Sequence, residues 1–412
     1  MPRVSEDVLV EPGSGRRKAL RQSAPRTVAS GLTSWDVTLR LAALVTGLAL
    51  IKLAIYVAAA QPYGGAERGL CEWDCHWYTH TIQNGYDLAP RLYIVKDFVN
   101  WAFFPLFPLL GRGLMAISGL DAFWSGTAVS ILCYLAFALL SCQYRSLTRG
   151  PEARNVPWIV LLTVYPFSIY FFTVYSESTY LLVTILFLLA AQYRNVIGAS
   201  VAICLLSIVR PTGIIALPYI AIERLWHARL AFRPRLTFGD RARVLADSAF
   251  PLAIAPLGLA CYMAYLYWLT GDALAFSHAQ LAWDRTFSNP IKNVYWALLK
   301  NDWYYLFRSN IQTTQAYSAS FAILAGLVCL WLLLRRRALE AWLLGATVIL
   351  AVATSMMAVP RYVMANPVLL LVAGDVMDLV RPRAVRIVLA LACIGVQAFL
   401  LYTWYIQSDL LL

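Results

Sequence analysis

Apolar runs of about twenty residues, each closed by charge or proline, recur along almost the whole chain. The first occupies 37–60 and is interrupted only by Lys52, whose long stem suits snorkelling or a cavity. A polar stretch, 61–100, follows. The run 101–119 (WAFFPLFPLLGRGLMAISG) is apolar but carries Pro105, Pro108 and Arg112, so it predicts a segment that lies in the interface or re-enters. Further crossings are predicted over 122–144, 156–174 and 178–193. The run 195–222 is divided at Arg210-Pro211-Thr212-Gly213. Arms of about 13 residues reach only about 20 Å, so it reads as a hairpin whose turn lines a protein cavity. The remaining runs are 246–270, 318–334, 338–357, 362–380 and 385–405, with a second polar loop, rich in Trp and Tyr, at 271–317.

Composition agrees with this pattern. Of 412 residues, 60% are hydrophobic and 14% charged, too apolar a balance for a soluble domain. A net charge of +12 would suggest nucleic acid in a soluble protein. Here the basic residues stand at the ends of apolar runs, as in Arg335-Arg336-Arg337, and set topology instead. With the N-terminus inside, the short basic loops fall on the cytoplasmic side only if 101–119 does not cross. The prediction is an all-α polytopic membrane protein with about eleven transmembrane segments plus in-plane or re-entrant helices. Two long loops, 61–119 and 271–317, share its outer face, and 35–412 forms a single transmembrane domain. The basic stretch 1–34 has no apolar core and no small-residue cleavage site, so it reads as a disordered cytoplasmic tail.

The chemistry is concentrated in CEWDCHWYTHTIQNGYD, 71–87. A carboxylate at Asp74 between Trp73 and Trp77 reads as an acid–base group in a wet pocket roofed by aromatics, which would either cover sugar faces or raise its pKa by excluding water. Cys71 and Cys75 share this stretch. A bond between them suits an oxidising face, but a four-residue helical offset strains it, and the sequence leaves the pair open. His76 and His80 have the i, i+4 spacing of a metal helix but no third ligand nearby, so no metal site is assigned.

Glu177, Arg361 and the stretch 271–285 belong to the same face, and Arg210 sits at the hairpin turn. An arginine in a membrane needs an anion. That anion is either Glu177 or Asp74, or a phosphate held by forked hydrogen bonds. A phosphate beside a carboxylate suggests a lipid-phosphate sugar donor. Its leaving group departs as a stable anion and needs cations, while the acceptor hydroxyl needs a base, so one carboxylate suffices for inverting displacement. Each residue also has a plainer role. Trp73, Trp77 and Tyr78 fit an interface belt, Gly85-Tyr86-Asp87 a turn, and Glu177 and Asp272 helix caps.

Several stretches together resemble the PIG-V family, the mannosyltransferases that add the second mannose in glycosylphosphatidylinositol assembly, and their bacterial relatives. They are EWDCHWYTHTIQNGYD, FFPLFPLLGR, YPFSIYFFTVYSESTYLL, VRPTG, TGDALAFSHAQLAWDR and PRYVMANPVLLL, in family order. The resemblance implies a GT-C-type glycosyltransferase with a polyprenyl- or dolichyl-phosphate mannose donor. It also implies that Asp74 is catalytic, that Glu177 is the family's acidic residue and that Arg210 and Arg361 are its arginines.

The resulting expectation is an inverting glycosyltransferase acting on the non-cytoplasmic face, with a lipid or glycan acceptor. Asp74 is the base, Arg361 and Arg210 hold the donor phosphate, and Glu177 positions the acceptor or a divalent cation. Trp73, His76, Trp77, Tyr86, Gln280 and Trp283 line the sugar or acceptor site. The lipid-phosphate sugar is a co-substrate, a divalent cation is the one further cofactor the reading leaves open, membrane lipids are partners, and no nucleic acid is. The compact length points to a bacterial cytoplasmic membrane. A flippase would need ionisable residues through the mid-bilayer, for which only Lys52 and Arg210 qualify. A non-catalytic subunit of a transferase is the third alternative.

Overall fold

The computed structural model describes residues 35–411 except 90, 94–95, 151–152, 154, 233–236 and 301–313. The expected tail at 1–34 and part of the second loop lie outside the described residues. Helix α1 (Trp35–Ala60) opens the chain. The polar stretch after it holds two short helices, α2 (Ala66–Leu70) and α3 (Asp74–Asn84), and an antiparallel hairpin of β1 (Arg91–Tyr93) and β2 (Lys96–Phe98). Asn100 ties this stretch together. Its amide donates to Thr81 Oγ1 at 3.1 Å and to the Gly85 carbonyl at 2.9 Å, while its Oδ1 accepts from the Asp87 N–H at 2.9 Å. Gly85 ends α3 at φ +83°, so the predicted turn is present. The run at 101–119 gives α4 (Leu106–Ser118), whose 13 residues reach about 20 Å and are too short to cross.

Helix α5 (Ala122–Arg149) follows, capped by the Asp121 carboxylate on the Trp124 N–H. The crossing predicted over 156–174 is not one helix. Its helix, α6 (Asn155–Val164), stops before Pro166, and the chain continues as a buried 3-10 turn, Ser168–Phe171. Proline lacks the N–H the helix needs and disfavours helical geometry at Tyr165. Next come α7 (Glu177–Gln192) and α8 (Val196–Val209), and the chain breaks at Arg210 as expected. A 3-10 segment, Pro211–Ala216, leads into α9 (Leu217–Ala228). Gly213 is needed there, because a Cβ would lie 2.1 Å from the Leu206 carbonyl oxygen. Helices α10 (Phe238–Ile254) and α11 (Leu257–Thr270) share one apolar run bent by 49°.

In the second loop lie α12 (Ala275–His278) and α13 (Pro290–Leu299), followed by α14 (Gln315–Leu334) and α15 (Ala338–Thr354). The crossing predicted over 362–380 is also broken, into α16 (Val359–Met364) and α17 (Pro367–Leu379). Asn366 caps the Val368 N–H there, with Pro367 in the first helical position. The last helix is α18 (Arg383–Tyr405).

Among the described residues the protein is thus an all-helical polytopic membrane protein apart from one short hairpin. Among the described residues, α1, α5, α14 and α18 are each long and apolar enough to cross alone, and the bent α10–α11 pair makes a fifth span. Other apolar runs form helices of 10–17 residues, including α4, α6, α7, α8 and α15. Such broken backbone belongs in protein rather than in lipid. Helix α5 is 56% buried over its apolar window and α18 only 11%, so α5 is central and α18 peripheral. Lys52 does not snorkel. It is buried and donates to the Thr163 carbonyl and the Ser168 hydroxyl at the α6 break.

Candidate active site

The site forms where four chain breaks meet: the turn before α3, the start of α7, the end of α8, and α16. Asp74 opens α3 directly after Trp73, which sits at φ +47°. A disulfide joins Cys71 to Cys75 across this turn, with Cα atoms 5.1 Å apart. The objection of a helical offset fails because Cys71 lies outside α3, at the end of α2, and the chain reverses at Trp73 before α3 begins.

Asp74 Oδ2 accepts from Arg361 Nη1 at 2.7 Å. The Nε of the same guanidinium lies 3.5 Å from Glu177 Oε1, and Arg210 Nη2 is ion-paired to that oxygen. Arg210 Nε donates to Ser176 Oγ at 3.1 Å, and Tyr78 OH donates to the same Oγ at 2.9 Å. Tyr362 has both guanidinium groups against its ring, Arg210 at 5.4 Å and Arg361 at 5.8 Å. The pairing of arginine with acid expected from the sequence is therefore present, as one chain of charges running from Asp74 to Arg210.

Burial alone would push the Asp74 carboxyl up. The Arg361 guanidinium, with Arg285 and Arg210 behind it, outweighs this and holds the group below its ordinary value. The expectation that excluded water raises it is thus corrected, because a cation pair opposes desolvation. Around these groups lies a cavity of about 540 Å³, counting its open mouth. Its charged lining is Arg210, Arg285 and Arg361 against Asp74 and Glu177, three guanidinium groups facing two carboxylates. A second, mostly apolar cavity of about 1030 Å³ shares Pro211, Gln280, Arg285 and Tyr362 with it and extends along Phe276, Leu281, Phe287 and Leu350.

Of the aromatic and polar residues expected to line the site, Gln280 and Trp283 do so. Gln280 Oε1 accepts from Arg285 Nη1 at 3.0 Å. Trp77 lies one layer back, stacked on the lining Phe103 at 5.8 Å and edge-on to Trp283 at 5.7 Å. Three others lie away from the cavity. Trp73 packs edge-on against Trp404 at 4.9 Å, and His76 is exposed. Tyr86 donates to the Phe103 carbonyl at 2.6 Å and packs among Tyr262 and Tyr265. His80 is engaged by Asp87 at 3.2 Å and Asn84 at 2.9 Å, so it does not join His76. Asp272 accepts from the Leu274 N–H at 2.9 Å, a local turn role, and meets His278 at 2.6 Å. Glu177 is not a cap but a fully buried counter-ion.

Sequence reasoning gives no individual site role to Arg285, Tyr78, Ser176 and Tyr362. Two of them, Tyr78 and Arg285, carry a signal. Tyr78 stands at i+4 from Asp74, on the same helical face, and Arg285 closes the quoted stretch TGDALAFSHAQLAWDR.

No protein-family model matches the chain, and no curated protein does. Among solved structures the chain is similar to the archaeal oligosaccharyltransferase AglB from Archaeoglobus fulgidus, in complex with an inhibitory peptide and a dolichol-phosphate. The TM-score is 0.43 and the sequence identity 14%, over 92% of this chain and 56% of that one. The chain therefore spans little more than half the length of that protein.

Proposed function

We propose that the protein is a GT-C-type membrane glycosyltransferase that transfers a hexose with inversion from a polyprenyl- or dolichyl-phosphate donor to a lipid or glycan acceptor. The resemblance to the PIG-V family supports mannose as the hexose and the non-cytoplasmic face as the side of reaction. One observation carries the reading: Asp74, Arg361, Glu177 and Arg210 form a continuous charge array in one cavity, with a surplus guanidinium and an apolar cavity alongside. The surplus charge suits a phosphate, and the apolar cavity suits a lipid chain.

In the reaction the acceptor oxygen bonds to the anomeric carbon as the bond from that carbon to the phosphate oxygen breaks. The electron pair leaves with the phosphate, which Arg361, Arg210 and Arg285 receive. The acceptor's proton passes to Asp74. While paired to Arg361, Asp74 is a weak base. A donor phosphate competes for that guanidinium, and the half-buried carboxylate it leaves behind binds a proton more readily. Glu177, fully buried between two arginines, is assigned to holding them rather than to the acceptor or a divalent cation. Lys52 is occupied by the Thr163 carbonyl and the Ser168 hydroxyl at the helix break, which removes one of the two ionisable residues a transport route would use.

The test is transfer from radiolabelled lipid-phosphate mannose by the purified chain. Asp74→Asn should lower the rate by about 10²–10⁴-fold, the usual worth of a general base. Full retained activity ends the assignment.

A further inference from the structure

The end of the bundle opposite Asp74 carries a separate cavity of about 1290 Å³, counting its open mouth. Helix α7 runs from Glu177 in the candidate active site to Gln192 on this cavity's wall, and its 16 residues set the two about 24 Å apart. Arg149 from the end of α5 and Arg335, Arg336 and Arg337 from the turn between α14 and α15 line it, with the partly exposed Leu147 and Leu339 also in its wall.

These arginines divide into two pairs. Arg149 and Arg337 are both ion-paired to Asp375, and Arg337 also meets Glu340 at 3.0 Å. Arg335 lies over the Trp331 ring at 5.3 Å, and among the described residues neither it nor Arg336 is ion-paired to a carboxylate. The cavity therefore holds guanidinium charge that its own acids do not neutralise, beside an aliphatic surface. Topology alone would place arginines at this end but would not fold them around an amphipathic cavity. Arg145, Arg381, Arg383 and Arg386 in neighbouring basic segments fit the cytoplasmic side, whose leaflet carries anionic lipid.

We infer that this cavity binds the phosphodiester headgroup of an anionic phospholipid. Arg335 and Arg336 take the phosphate oxygens, and the leucines receive the first methylenes of the chains. Inorganic phosphate offers the same oxygens but nothing for the aliphatic wall.

The experiment is native mass spectrometry of the full chain in detergent, offered phosphatidylglycerol and phosphatidylcholine in equal amounts. The wild-type chain should retain one phosphatidylglycerol in preference. The double exchange Arg335→Ala/Arg336→Ala should weaken that retention by about 20-fold, with Arg335→Gln or Arg336→Gln alone giving about fivefold. The single exchanges decide the matter if the double one does not fold. Equal retention of the two lipids, or unchanged retention by the variants, overturns the site. Displacement of phosphatidylglycerol by millimolar inorganic phosphate overturns the lipid assignment in favour of a free anion. None of these arginines touches the candidate active site, so lipid retention is read independently of whatever reaction the protein catalyses.

Discussion

Asp74 and Arg361, 287 residues apart in sequence, form a hydrogen-bonded ion pair of 2.7 Å in the candidate active site. The same guanidinium reaches Glu177 from its Nε edge. Arg361 therefore links a partly exposed carboxylate to a fully buried one. A ligand that takes Arg361 from Asp74 changes the charge environment of the proposed base.

This pairing has a pH signature. Burial pushes the Asp74 carboxyl up, and Arg361 followed by Arg285 and Arg210 brings it below the ordinary value. A carboxylate with a depressed pKa keeps its charge above the ordinary value and loses it only as pH falls through the folded-state pKa. The acidic limb of kcat/KM, which reports the free enzyme, should therefore lie below about pH 4. With donor bound, Arg361 is shared with phosphate and burial is less opposed, so the limb of kcat should stand at higher pH. Coincident limbs would sink the exchange of partners.

Arg361 donates to Asp74 from one edge of its planar group and is ion-paired to Glu177 at 3.5 Å from another, which a lysine ammonium cannot copy. Arg361→Ala would leave two carboxylates short of a cation, a loss of about 3–5 kcal/mol. Arg361→Lys keeps the charge and should fold. Its affinity for a short-chain prenyl phosphate should fall about 10- to 100-fold, as expected for a lost charge-assisted hydrogen bond. Competitive inhibition of transfer measures this, and an unchanged inhibition constant removes Arg361 from the phosphate site.

The disulfide between Cys71 and Cys75 closes a short loop around Trp73 and Asp74, while the three site arginines, Arg210, Arg285 and Arg361, sit on other segments. Cys71→Ser/Cys75→Ser should lower stability by about 2 kcal/mol from loop entropy. It should reduce kcat and leave donor affinity intact, because the freed turn positions Asp74 but not the arginines. A variant with wild-type kcat would show that Trp73 and α3 position Asp74 unaided.

The sequence and the structure part company where packing decides. Proline-free runs such as 37–60 and 385–405 are legible as α1 and α18, because an apolar span of that length has few other solutions. The breaks in 156–174 and 362–380 are harder to read. Part of the freed backbone is satisfied from distant segments, by Lys52 and Gln397 at the first break and by Tyr165 at the second, where Asn366 supplies only a local cap. Asp74, Glu177, Arg210 and Arg361 are legible for the opposite reason, since isolated charges among apolar residues need partners. Their neighbours depend on which face a short helix presents. Helix α3 directs Asp74 and Tyr78, four residues apart, into the cavity, while His76, two residues along, stays exposed.

The break at Pro166 supplies a final prediction. With no N–H at Pro166, the end of α6 leaves carbonyls that must find donors elsewhere in an apolar interior. Lys52 of α1 donates to the Thr163 carbonyl, and Gln397 of α18 donates to the Tyr165 carbonyl at 2.7 Å and to Ser168 Oγ at 2.7 Å. Two helices from opposite ends of the chain thus satisfy one kink. Lys52→Met fills similar space without a donor and should destabilise the protein by about 1–3 kcal/mol. Transfer per folded molecule should be unchanged, because none of these groups lines the cavity around Asp74. Thermal unfolding in detergent beside specific activity separates the two effects. A variant of normal stability with lost transfer would instead place Lys52 on a functional path through the membrane.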